Sequence, residues 1–190
     1  MSEQRFPRLA PEQMTPRQRE VAQQIAAGPR GEVKGPFLAL LHNPDLAERI
    51  QQLGEHLRFG TELPGELIEL AVLVAARVWD CQYEWAAHRR IATATTSLAP
   101  EIMDAIAAGR DPGEMPGHLR DAYVFCMAVH RLGQPGEAAC DAVEARYGKR
   151  GVLDLLALCG YYTMLAMVLN TAQVPLPDGA APPLEPLRRP

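Results

Sequence analysis

No stretch of this chain alternates apolar and polar residues for long enough to make a strand, and that constrains the fold more than any other feature. What recurs instead is the spacing of a helix, interrupted by proline and glycine. Thr15 reads as an N-cap with Pro16 at the first helical position, and Gly28 as the stop of that helix. A glycine-rich loop, "GPRGEVKGPF", follows, then a short apolar turn from Phe37 to Leu41. Further helices are predicted over Pro44–Phe59 and Pro64–Val78, then through "CQYEWAAH", fading in "TATTSLAP". The remaining helices are predicted over Pro100–Ala108, Pro116–Leu132, Gly136–Tyr147 and Lys149–Asn170. The fold class is therefore all-α. Residues 1–14 read as an N-terminal extension, 15–174 as one helical domain, and 175–190 as a proline-rich arm that packs on a neighbour or stays mobile.

The chain has 190 residues, enough for one sizeable core. A hydrophobic share of 47% with 22% charged residues is the balance of a soluble globular domain. A net charge of -4 and a pI near 5.7 leave no electrostatic footprint for nucleic acid. Basic side chains are scattered, which argues against a membrane surface. No apolar leader is visible in "MSEQRFPRLAPEQ", and Cys81, Cys126, Cys140 and Cys159 lack zinc-site spacing, so a cytoplasmic protein with reduced thiols is expected. The longest apolar run, "GVLDLLALCGYYTMLAMVLN", is interrupted by Asp154 and carries Tyr161, Tyr162 and Thr163. It is expected to be a central core helix or to lie in the interface of a homo-oligomer.

Chemistry concentrates in "WDCQYEWAAHRR", Trp79 to Arg90. Steps of three and four residues place Cys81, Glu84 and His88 on one helical face, continued by Ile91 and Thr95. Glu69 lies on the preceding helix and reaches the same pocket if the two helices fold back on each other. A carboxylate beside an imidazole raises its proton affinity, and burial raises that of a carboxyl. Both groups then approach neutral pH, where general acid–base catalysis works best. The alternative is a buried pair in which Glu84 and His88 merely satisfy one another, with Cys81 as a small hydrophobe. Ionisation of Cys81 beside His88 would permit nucleophilic chemistry. A metal is a weaker rival: the Glu84–His88 step is not the Glu-x-x-His step of di-iron bundles. His42, His56, His118 and His130 lie on other segments, as surface or capping residues.

The run from "GPRGEVKGPFLALLHNP" through "YEWAAHRRIA" resembles the carboxymuconolactone decarboxylase family, which includes the alkylhydroperoxidase D-like proteins, over about Thr15–Pro177. The resemblance implies an all-helical fold assembled as a trimer or hexamer, with sites near subunit contacts. In the family's peroxidase branch a Cys-x-x-Cys pair works with a Glu and a His. Glu69, Cys81 and His88 match that pattern, while Glu84 stands where the second cysteine belongs. In the decarboxylase branch a Tyr-Glu pair followed by His is similar to Tyr83, Glu84 and His88. That branch acts without a cofactor on a lactone of a dicarboxylic acid in aromatic catabolism.

The expected function is thus a cofactor-independent, lyase-like enzyme for a small carboxylated or lactone substrate. His88 is the expected general acid or base, Glu84 the group that orients it, and Glu69 a second acid–base group. Arg30 or Arg90 is expected to hold a substrate carboxylate, with Tyr83 beside it; solvated surface arginines are the alternative. Two other functions stay open: a thiol peroxidase using Cys81 with a distant or small-molecule thiol, and a non-catalytic oligomeric binding protein.

Overall fold

The computed structural model describes residues 5–176 and 180–186. Among the described residues there are eight α-helices and no strand. They are α1 (Pro16–Ala27), α2 (Pro36–Leu40), α3 (Pro44–Glu55), α4 (Gly65–Val78), α5 (Gln82–Thr95), α6 (Pro100–Ala107), α7 (Gly117–Leu132) and α8 (Glu137–Ala172). Local chemistry sets several of these boundaries. The Thr15 hydroxyl accepts from the Gln18 N–H, and the Gln18 amide oxygen accepts from the Thr15 N–H, closing a capping box over α1. Asn43 caps α3 through the Leu46 N–H, and Pro16, Pro36, Pro44 and Pro100 occupy first-turn positions where no N–H is needed.

α4 is the centre of the molecule. Every residue from Leu67 to Arg77 is buried, and α5, α6, α7 and α8 all pack on it. A helix apolar on all sides can be satisfied only in that position. α8 lies on the flank instead and divides at Gly148 (φ 64, ψ -178), a conformation open essentially to glycine. Its two parts correspond to the helices predicted before and after that glycine. By length and composition α8 could cross a membrane, with a most apolar window of mean hydropathy 1.9, half of it buried within the chain. Leu153, Leu156 and Met167 remain exposed on its outer side.

The arm differs from expectation. Residues 180–186 neither extend from the chain nor need a neighbour, because they pack on their own helices. The Gln82 side-chain oxygen accepts from the Leu184 N–H at 2.8 Å, and its Nε2 donates to the Leu184 carbonyl at 2.9 Å. The Leu184 side chain is buried in the core, and Arg77 donates to the Glu185 carbonyl. Two backbone bonds from one amide plus one buried leucine outweigh the freedom of a short proline-rich segment. Residues 177–179 and 187–190 of the expected arm, and residues 1–4 of the expected extension, lie outside the described residues.

Candidate active site

α4 and α5 are joined by a tight reversal at Trp79–Asp80–Cys81, with Asp80 in the left-handed region (φ 49). The reversal lays α5 back along α4 and brings Glu69 opposite His88. Both side chains are buried, and the Nδ1–H of His88 donates to Glu69 Oε2 at 2.7 Å. The carboxylate acceptor places the imidazole proton on Nδ1 and leaves Nε2 as the acceptor nitrogen.

A third residue completes this unit. Arg58 lies in a wider helical turn, His56–Gly60, that follows α3. Its Nη2 donates to Glu69 Oε1 at 3.2 Å, and its Nη1 faces His88 Nε2 at 3.4 Å and the Tyr162 hydroxyl at 3.5 Å. The Tyr162 ring meets the His88 ring edge to face at 5.1 Å and holds it in place. Glu69 thus bridges a cation and an imidazole, one oxygen to each. Burial pulls the proton affinity of His88 below its ordinary value, and the Arg58 and Arg30 charges act in the same direction against the Glu69 bond. His88 is therefore a neutral base at neutral pH.

Arg58, His88 and Tyr162 border a cavity of about 280 Å³ whose wall also includes Arg30, Lys34, Tyr83, Glu84 and Arg90, with Glu69 behind His88. Four cationic side chains against Glu32 and Glu84 make it attractive to an anion. Arg30 donates to the Tyr161 hydroxyl at 3.3 Å and stacks over Phe37. Gly54 permits that approach, because a Cβ there would collide with the Tyr161 hydroxyl and the Arg30 guanidinium. The Nε groups of Arg30 and Arg58 are buried with no hydrogen-bond partner among the described residues. Arg90 is exposed at the rim and Tyr83 forms part of the wall.

Two sequence expectations are corrected here. Glu84 does not orient His88: no hydrogen bond joins them, and Glu69 from α4 holds that position. Glu84 lines the same cavity, but its Oε2 is buried with no partner among the described residues. Burial raises its proton affinity well above the ordinary carboxyl value. Nor does Cys81 share the helical face of Glu84 and His88. α5 begins at Gln82, and Cys81 is its N-cap residue in extended backbone (φ -82, ψ 96). Its side chain packs with Ala166 and Leu169, behind the cavity wall to which Leu169 belongs, and Cys81 itself does not line the cavity. Burial, and then the nearby Glu84, push the Cys81 thiol up to about 12. Cys126 and Cys159 are buried in the core and Cys140 is half-buried, none of them in the cavity wall.

Sequence reasoning did not find Arg58, Tyr161 or Tyr162. The two tyrosines carried a signal, since they interrupt an otherwise apolar run. Arg58 carried none, because its role depends on which helices meet around it.

The segment that supplies Glu69, Glu84 and His88 also decides the relationship to known proteins. Residues 44–122 match the carboxymuconolactone decarboxylase family. The family segment contains Arg58, Glu69, Cys81, Tyr83, Glu84, His88 and Arg90, and it leaves Arg30, Tyr161 and Tyr162 outside. It is narrower than the Thr15–Pro177 extent of the resemblance read from the sequence. No curated protein matches the chain.

Proposed function

We propose that the chain is a cofactor-independent acid–base enzyme of the decarboxylase type, acting in the cytoplasm on a small carboxylated or lactone substrate. The observation that carries this reading is the buried 2.7 Å His88–Glu69 bond, set at the wall of a cation-rich cavity with Arg58 across it. A substrate carboxylate entering the cavity competes for Arg58 Nη1 and for the unpartnered Nε groups of Arg58 and Arg30. When Arg58 turns toward the anion, His88 Nε2 loses its Arg58 contact and becomes free to take or return a proton. Glu69 fixes the tautomer and stabilises the imidazolium that forms. Tyr83 and Arg90 at the wall and rim contribute to substrate binding in this reading.

The thiol-peroxidase reading requires Cys81 to act as a thiolate, and a thiol at about 12 is almost wholly protonated at neutral pH. Two assays run side by side separate the readings: carbon dioxide release from carboxymuconolactone, and reduction of an alkyl hydroperoxide by a dithiol. Cys81→Ser is expected to leave lactone turnover unchanged, and wild type is expected to reduce the hydroperoxide only weakly. Strong peroxidase activity that disappears in Cys81→Ser reverses the ranking.

The same proposal includes assembly as a homotrimer or hexamer through the exposed apolar stripe of α8. Burying Leu153, Leu156 and Met167 between copies contributes roughly 25 cal/mol per Å². Light scattering at micromolar concentration is expected to give a multiple of the 20.8 kDa chain mass. Leu153→Glu is expected to shift the population toward monomer, and a wild-type monomer contradicts the assembly.

A further inference from the structure

Glu84 is the buried group that the acid–base unit leaves unused. It lies one turn before His88 on α5, is only 3% exposed, and borders the cavity. Its Oε2 is buried with no hydrogen-bond partner among the described residues. The cations of the cavity are engaged elsewhere: Arg58 with Glu69 and Tyr162, Arg30 with Tyr161, and Lys34 with Glu32, while Arg90 is exposed at the rim. The other titratable neighbours are the Tyr161 and Tyr162 phenols on α8 and the Cys81 thiol, which burial holds neutral. A carboxylate in this position would be a buried charge with no compensating partner, a state that proteins avoid by binding a proton.

Resting on the reading above, we propose that Glu84 is the proton donor of the cavity, aimed at a substrate oxygen that becomes negative during the reaction. A neutral carboxylic acid with no internal acceptor is preorganised for that task. In the decarboxylation proposed above, the scissile carboxylate is joined to a conjugated carbonyl of the substrate. Arg58 and Arg30 hold the carboxylate. As the carbon–carboxylate bond breaks, carbon dioxide leaves and the bonding electron pair moves through the conjugated system to the carbonyl oxygen. The Glu84 O–H proton passes to that oxygen and gives the enol. Glu84, now a carboxylate, recovers a proton from water, and the enol rearranges to the carbonyl product by proton exchange through His88. The net change is RCOO⁻ plus one proton to RH plus carbon dioxide.

Infrared spectroscopy of the full chain tests the donor without any substrate. Wild type at neutral pH is expected to show the carbonyl stretch of a protonated carboxyl, shifted in D2O, displaced in Glu84→Asp and absent in Glu84→Gln. A spectrum without that band, or a band unchanged in both variants, overturns the proposal. Glu84→Asp retains the acid, so the assignment holds even where Glu84→Gln folds poorly. With carboxymuconolactone as probe, folded Glu84→Gln is expected to lose at least about 100-fold in turnover. If Glu84→Gln keeps full turnover while His88→Gln loses it, the donor role falls and the His88 reading stands. If wild type releases no carbon dioxide, the reading of the site falls and the donor role falls with it.

Discussion

Replacing Glu69 by Gln is expected to destabilise the fold by about 3–5 kcal/mol and to reduce turnover at least about 100-fold. The stability loss follows from what the substitution leaves behind. Arg58 is largely buried and Glu69 is its carboxylate partner, so the amide leaves a buried guanidinium without its compensating charge. The activity loss has a separate origin. An amide can present its NH2 to His88 Nδ1, which favours the tautomer with the proton on Nε2 and removes the acceptor that faces the cavity. Urea melts of Glu69→Gln, Arg58→Met and the double variant distinguish the two effects. The double variant is expected to recover much of the stability, since no buried charge remains, and none of the activity. Additive stability losses in the double variant contradict the ion-pair account.

His88→Gln is expected to lower turnover by about 100- to 10,000-fold while the melting behaviour at neutral pH changes little. Glu69 keeps Arg58 in this variant, so no charge is stranded. The pH dependence of stability has a definite sign, set by burial. The proton affinity of His88 is lower in the folded chain than the ordinary value of 6.5. Its neutral form therefore supports the fold above 6.5, and that support is lost as pH falls toward the lower native value. Wild type is expected to lose stability in this acid window, and His88→Gln is expected to lack the loss. Glu84 acts with the opposite sign. Its native proton affinity is raised, so its contribution is complete in acid and declines as pH rises from the ordinary 4.5 toward the native value. Glu84→Gln is expected to gain on wild type over that rise, and parallel stability curves contradict the assignment.

Helix positions were legible because this sequence marks them with rigid residues. Prolines occupy first-turn positions of α1, α2, α3 and α6, and Gly148 divides α8 where an L side chain would be strained. The candidate site was legible in part. Helical spacing put Glu84 and His88 along one cavity wall, and the fold-back of α5 on α4 brought Glu69 to His88, though not into the wall itself. Spacing could not say which carboxylate takes the imidazole, because a side chain crossing from a neighbouring helix at 2.7 Å leaves no periodic trace. The position of Cys81 was misread for a related reason. Asp80 adopts positive φ without being glycine, so nothing in the letters announces the break before α5. Arg58 depends on a wider turn after α3 that only the packed structure reveals. The arm was misread because its composition is that of a linker, while one leucine and one glutamine fix it.

The most direct test measures carbon dioxide release from carboxymuconolactone per folded molecule for wild type, His88→Gln and Cys81→Ser in one assay. The acid–base account predicts turnover by wild type and by Cys81→Ser alike, with His88→Gln reduced by at least about 100-fold at unchanged fold. Equal turnover by His88→Gln and wild type, or a loss confined to Cys81→Ser, would contradict it.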